Sequence, residues 1–311
     1  MGRAVAAAAA LGLGLSPPVL AAAAQPEVPV EVRIEDVDRF YAIYDAAKGK
    51  PSAETLQRDY IEHGSEGVRQ FLPHRILSGQ ALAAQVAAHP EVYERARACL
   101  KVLPKVKARL QAAFAELAKL LPEARFPPAT ILIGRDNSGG TTAASGVLIG
   151  LEVTCRSNWL QADLSDRLLH LVAHEYGHVQ QPATLDDETV PTTVLRQSLI
   201  EGVAELIAEL ISGDITNAHL RKWTLGKQAE IDERFLAQAE SSDLSGWLYN
   251  GAGTPANPGD LGYWQGYRIA LAYYRKAPDK AAALTALLKL DSPKAILADS
   301  GWAPARPLDE R

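Results

Sequence analysis

The chain has 311 residues, 47% of them hydrophobic and 22% charged, with a formal net charge of −5. That is an ordinary globular composition, with ample apolar material for a core and length for one or two domains. The charge balance lacks the basic footprint of a nucleic-acid binder, so no nucleic-acid partner is expected, and mild acidity of this size reports solubility.

The opening residues stand apart. Arg3 precedes an Ala- and Leu-rich run from Ala4 to Leu15, followed by Ser16, Pro17, Pro18 and the small residues Ala21 to Ala24. This pattern reads as a signal peptide over residues 1–24, cleaved before Gln25. The run is short for a membrane span, and no later stretch has about 18 uninterrupted apolar residues. The expectation is an exported protein, periplasmic or secreted, with no stable membrane span after cleavage. Cys99 and Cys155 are the two cysteines. In an oxidising compartment they can pair, or remain two buried thiols; the sequence leaves both open.

Residues 25–126 read as a helical region. Phe40, Ile43 and Tyr44 share one helical face, Ser52 can cap a helix through Tyr60, and further helices cover Glu66 to Leu72 and Ala81 to Ala88. Glu91 to Leu121 reads as one long amphipathic helix broken or kinked at Pro104. His63, His74 and His89 are isolated and read as surface or core residues. The texture changes at Pro127, where a catalytic region, 127–311, begins. Ala129 to Ile133 and Val147 to Val153 read as strands, and Asn137 to Thr142 as a small-residue loop. A helix from Ser165 to Gln181, capped by Ser165 or Asp166, precedes a second from Thr192 to Ser212 with Gly213 as its stop. Trp223 to Glu240 and Gly262 to Lys276 are further helices, separated by a loop rich in Gly, Pro, Asn and Ser, and one more follows Asp279.

The first long helix of this region carries His174-Glu175-Tyr176-Gly177-His178. Histidines four apart lie on one helical face, so both imidazoles reach one metal ion, with Glu175 beside them to take a proton from an activated water. A catalytic zinc needs a third protein ligand. The metzincin spacing would place Gly and His at positions held by Gln181 and Thr184, so that version is excluded. Glu201, 23 residues after His178, opens Glu201-Gly202-Val203-Ala204-Glu205 on the next helix. Two helices joined by a short loop pack antiparallel, bringing Glu201 opposite both histidines. Glu205, one turn on, is placed to accept the free N–H of a ligand histidine, and Gly202 and Ala204 let the helices approach. Asp186, Asp187 and Glu188 are fallback ligands, and Glu201, Glu205 and Glu209 could instead form a solvated stripe. His170 reads as a packed or hydrogen-bonded neighbour, not a fourth ligand.

The pattern resembles the gluzincin metallopeptidases, with H-E-x-x-H on one helix and a Glu ligand on the next. More closely, it resembles a bacterial family of predicted Zn-dependent proteases of unknown substrate. The shared features stand here as Ser138-Gly139-Gly140-Thr141, the His174–His178 motif, Glu201 to Glu205 and Gly262-Tyr263-Trp264-Gln265-Gly266-Tyr267-Arg268, over residues 35–305. The chain departs from the thermolysin pattern, which places Asp where Glu205 stands. The resemblance implies an α+β, mostly helical fold with a zincin-like core of small sheet, H-E-x-x-H helix and Glu-ligand helix. It also implies one catalytic Zn2+ and a peptide or protein substrate.

The expected activity is peptide-bond hydrolysis by an exported metallopeptidase, with Glu175 as general base. An oxyanion donor is needed as well. Tyr263 and Tyr267, four apart after the loop, are the candidates, against a packing role for both; Arg268 ranks behind them. The competing readings are a zinc hydrolase of a non-protein amide of cell-wall type and a non-catalytic peptide-binding protein on a peptidase scaffold. The intact Glu175 argues against the latter. The N-terminal region reads equally as a lid, a substrate platform or an inhibitory segment.

Overall fold

A computed structural model describes residues 31–157, 161–187 and 189–304. The expected signal peptide lies outside the described residues. The architecture is α+β and mostly helical, as expected, with one small mixed sheet.

The N-terminal part begins with β1 (Val32–Arg33) and α1 (Glu35–Ala46). Phe40 and Tyr44 of α1 are buried, joined by Tyr41, whose hydroxyl donates to Tyr93 O at 2.7 Å. Ser52 caps α2 (Ala53–Thr55) by accepting from Thr55 N, and the helix widens into a π-turn over Leu56–Glu62. α3 (Glu66–Phe71) widens likewise over Leu72–Ile76, and α4 (Gly79–Ala88) follows. The long helix expected from Glu91 to Leu121 is two helices, α5 (Pro90–Cys99) and α6 (Leu103–Leu120), joined by a 3-10 turn at Leu100–Val102. Of the break or kink expected at Pro104, the break is what forms: the proline sits in the first turn of α6, where its missing N–H costs nothing.

The sheet is β2 (Ala129–Leu132), β3 (Gly140–Ala143) and β4 (Gly146–Gly150) with β1, in the order β1-β2-β4-β3. β1, β2 and β4 run parallel; β3 is antiparallel to β4 and forms an edge. The sheet therefore joins residues from both sides of position 127. Two expectations change here. The presumed loop at Asn137 to Thr142 contains the start of β3, a strand without apolar alternation that exists through its pairing with β4. The presumed strand to Val153 stops at Gly150, and Leu151–Arg156 is helix α7. A short apolar run does not distinguish strand from buried helix by periodicity. Cys155 on α7 is bonded to Cys99 on α5.

α8 (Leu164–Gln180) carries the histidine motif. Its cap is Asp163, two residues before Ser165, and it accepts from the backbone N–H groups of Ser165 and Asp166, the two caps expected. α9 (Val194–Ser212) follows, ended by Gly213 at φ 95°, a conformation that favours glycine. The helix expected from Trp223 to Glu240 is α11 (Gln228–Gln238); Trp223 instead ends a separate short helix, α10 (His219–Trp223), and Gly226 turns the chain between them at φ 77°. α12 (Leu261–Lys276), α13 (Lys280–Lys289) and α14 (Pro293–Ser300) complete the described chain.

α9 is the central element. It is apolar nearly all round and buried, packing on α8 along one side and on α12 along another. A Cβ on Gly177 would meet Ala204 Cα at 2.7 Å, so this pair sets the close approach of α8 to α9. Gly202, expected to serve the same contact, faces α12 instead: a Cβ there would meet the backbone of Gly266 at 2.0 Å. Contacts of His178 with Glu201 and of His170 with Ser212 run in opposite senses along α8 and α9, so the two helices are antiparallel. Among the described residues, no helix is long and apolar enough to cross a membrane.

Candidate metal centre

The one-turn spacing of His174 and His178 puts both rings on the face of α8 that meets α9. His178 Nε2 lies 3.1 Å from His174 Nε2 and 3.1 Å from Glu201 Oε2, and His174 Nε2 lies 3.4 Å from the same oxygen. Ligands at ordinary zinc bond lengths in a tetrahedral site stand about 3.3 Å apart, so two nitrogens and one oxygen at these spacings suit such an ion. Two imidazoles and a carboxylate are also a donor set that catalytic zinc takes. The residues present therefore fit one zinc, and they form the metal-competent group among the described residues.

The supporting contacts orient these donors. His178 Nδ1 lies 2.8 Å from Gln181 Oε1, and Gln181 Nε2 donates to Ile200 O at 2.8 Å. The second bond fixes which end of the amide faces the ring. His178 therefore donates through Nδ1 and turns Nε2 to the centre. Glu201 presents Oε2 to the histidines and accepts from the Tyr249 hydroxyl on Oε1 at 2.8 Å. Glu205 is fully buried, with Oε1 at 3.6 Å from His174 Nδ1. That is beyond hydrogen-bond length, and His174 Nδ1 has no other partner. Glu205 is held by Thr216 N at 2.6 Å and Asn217 Nδ2 at 3.2 Å.

Electrostatics follow from this enclosure. Burial alone would raise the Glu201 carboxyl, but His178 and His174 pull it well below the usual carboxylate range. Burial opposes a charged His178, yet Glu201 and then Glu175 outweigh it and push the imidazolium up to about 10. Burial raises Glu175 and Glu205 above the ordinary value.

Glu175 lies at the cleft beside the histidines, and its carboxylate accepts no hydrogen bond from a described residue. A Cβ on Gly140 would stand 2.5 Å from Glu175 Oε1, so the backbone of β3 passes directly over it. The cleft has a volume of about 1390 Å³ and runs between β3, the α8–α9 pair and the loop before α12.

The two tyrosines separate. Tyr263 lines the cleft with its ring stacked near His174, centroids 6.1 Å apart, and burial holds its hydroxyl protonated. Tyr267 does not reach the site. One turn further along α12 it is buried against Trp264, and its hydroxyl accepts from Arg221 at 3.4 Å. Arg268 is also remote, in a buried ion pair with Asp232 at 2.5 Å. The solvated stripe is not what forms: Glu201 and Glu205 are buried, and Glu209 pairs with Arg221 at 3.3 Å. Asp187, a fallback ligand, accepts from Thr189 instead; the side chains of Asp186 and Glu188 lie outside the described residues. His170 is a hydrogen-bonded neighbour, 2.8 Å from Ser212 Oγ. Tyr249 and Gln181 join the site without any signal in the motif spacing, Tyr249 from a loop and Gln181 from just past the end of α8.

A family model described as a predicted Zn-dependent protease (DUF2268) matches residues 131–294, slightly more than half of the chain. The chain belongs to this family. The family segment holds His174, Glu175, His178, Glu201, Tyr249 and Tyr263, and begins after α6. No curated protein and no solved structure matches the chain.

Proposed function

We propose that the protein is an exported, zinc-dependent metallopeptidase of gluzincin type, built on a zincin-like core. One observation carries this reading: donor atoms of His174, His178 and Glu201 converge in a cleft where the uncommitted carboxylate of Glu175 lies under edge strand β3. One zinc held by those three residues would supply Lewis acidity, polarising the scissile carbonyl and bringing the pKa of water toward neutrality.

The chain's own groups do the rest. Glu175 takes the proton of the attacking water and returns it to the leaving amine, and its burial moves its pKa toward the value that such a relay needs. The Tyr263 hydroxyl, kept protonated, donates to the carbonyl oxygen as charge develops there. Gln181 and Tyr249 hold His178 and Glu201 in place. The substrate backbone extends along β3 as an added strand. A cleft of about 1390 Å³ exceeds the roughly 300–1,000 Å³ of small-molecule pockets, which supports a polypeptide substrate. The leader-like residues 1–24 and the Cys99–Cys155 bond support export to an oxidising compartment.

The test is metal content with cleavage of a peptide library. Wild type should hold one zinc per chain and cut peptides. Glu175→Gln should hold zinc and lose cleavage, and Glu201→Ala should lose zinc. A zinc-loaded wild type that cuts no peptide would move the assignment to a non-protein amide of cell-wall type, or to a non-catalytic peptide-binding role.

A further inference from the structure

Arg75 enters the cleft from outside the family segment. It stands in the π-turn after α3, two residues before Leu77, a bulky residue held at φ 69°. π-turns and left-handed non-glycine residues concentrate at functional sites, because only surrounding structure that needs them keeps them. This turn delivers the guanidinium to the start of β3. Nε donates to Ser138 Oγ at 3.1 Å and Nη2 to Thr141 Oγ1 at 3.0 Å, while the Phe71 ring lies 5.4 Å from the guanidinium carbon.

A guanidinium has five N–H groups, and these contacts use two. Among the described residues no carboxylate lies within ion-pair distance of Arg75, and Nη1 makes no hydrogen bond. Yet the group is half-buried and lines the cleft. Arg125, the other arginine of the cleft, is committed: it donates to the carbonyls of Val179 and Gln181 at the end of α8. Of the acids of the cleft, Glu201 and Glu205 are engaged at the metal centre and Asp260 accepts from Asn250 N, while Glu175 attracts Arg75 through space from beyond ion-pair distance. Arg75 is thus an oriented, half-desolvated cation beside the strand along which the substrate is read, with its outer N–H edge unspent. That edge matches a carboxylate in bidentate geometry.

We propose that Arg75 is a specificity residue that binds a carboxylate of the substrate close to the scissile bond, so that the N-terminal helical region completes the cleft. This rests on the peptidase reading above for where the substrate lies. The carboxylate has two sources, an acidic side chain or the C-terminus of the substrate chain.

The experiment uses the full chain loaded with zinc and matched peptides that carry Glu or Gln at each position flanking the cut, with free or amidated C-termini. Wild type should favour a carboxylate-bearing peptide on the order of 10- to 100-fold in kcat/KM. A Glu/Gln contrast assigns the side chain, and a free/amidated contrast assigns the chain end. In Arg75→Gln the ratio should fall toward one, while Arg75→Lys should keep part of it. Binding of the same peptides to Glu175→Gln and to Glu175→Gln/Arg75→Gln, by fluorescence anisotropy, reads the same ratio without turnover. Carboxylate-dependent binding with no cleavage by wild type would sink the peptidase reading and sustain this one. Equal losses on charged and neutral peptides in Arg75→Gln would overturn it, leaving Arg75 as a clamp on Ser138 and Thr141. No carboxylate preference in wild type would overturn it as well.

Discussion

Tyr249 grips the oxygen of Glu201 that is not directed at the histidines, while its own residue is 60% exposed and held at φ 58°. Its hydroxyl also accepts from Gln197 Nε2 at 2.7 Å, so the ring is fixed at its tip and open elsewhere. Removing only that hydroxyl should leave the fold intact and loosen the ligand. Tyr249→Phe is expected to weaken zinc binding by roughly 10- to 100-fold, the usual cost of losing an outer hydrogen bond to a metal ligand. Competition with a chelator measures it, and unchanged affinity would mean that α9 alone positions Glu201. His178 sets the pH dependence. Without metal its folded pKa is about 10 against an ordinary 6.5, so it stabilises the metal-free fold below about pH 6.5, and that contribution is lost as pH rises through about 10. Zinc must displace the same proton. Zinc affinity should therefore rise about tenfold per pH unit between neutrality and that pKa, with release of one proton. Calorimetric titration in buffers of different ionisation heat counts the proton; binding without release would refute the protonated state.

Two elements make the cleft by close approach, and they answer substitution differently. At β3, a Cβ on Gly140 would meet the mobile end of Glu175. The fold accommodates that by moving the carboxylate, so Gly140→Ala should retain stability and zinc while kcat falls at least tenfold, as misplacement of a catalytic group does. Steady-state kinetics beside metal content reads both. At the α9–α12 contact, a Cβ on Gly266 would stand 1.6 Å from Ser198 O, which is backbone and cannot swing away. Gly266→Ala should lower stability by about 3 kcal/mol, by forcing two buried helices apart. Urea denaturation checks this; a loss under about 1 kcal/mol would show that the helices separate easily. Strand β3 also explains an error of sequence reading. Gly-Thr-Thr-Ala has no apolar alternation, so its conformation is decided by the partner strand and by Gln70, whose Oε1 accepts from Ser145 N and Oγ at the hairpin tip.

Across the whole molecule, the N-terminal helices are tied to the metal-binding part by a shared sheet, by the Cys99–Cys155 bond and by Tyr60, which exchanges hydrogen bonds with Ile133. The disulfide closes a loop with a sequence separation of 56 residues. In the chain-entropy account this contributes about 4 kcal/mol, so reduction should lower unfolding stability by that order in denaturant titrations with and without a thiol. A negligible difference would place the stabilisation elsewhere. The sequence by itself determined the helical character and the meeting of His174, His178 and Glu201 with Glu175 beside them, because these rest on periods of three to four residues within single helices and on the antiparallel packing of two helices joined by a short loop. Tertiary structure alone decided that the cysteines pair, that Tyr263 faces the metal centre while Tyr267 packs against Arg221, and that Tyr249, Gln181 and Arg75 join the site. Residues that share a helical face still meet different neighbours, and residues from loops and distant helices converge only when packing brings them together. Local spacing carries no record of that convergence.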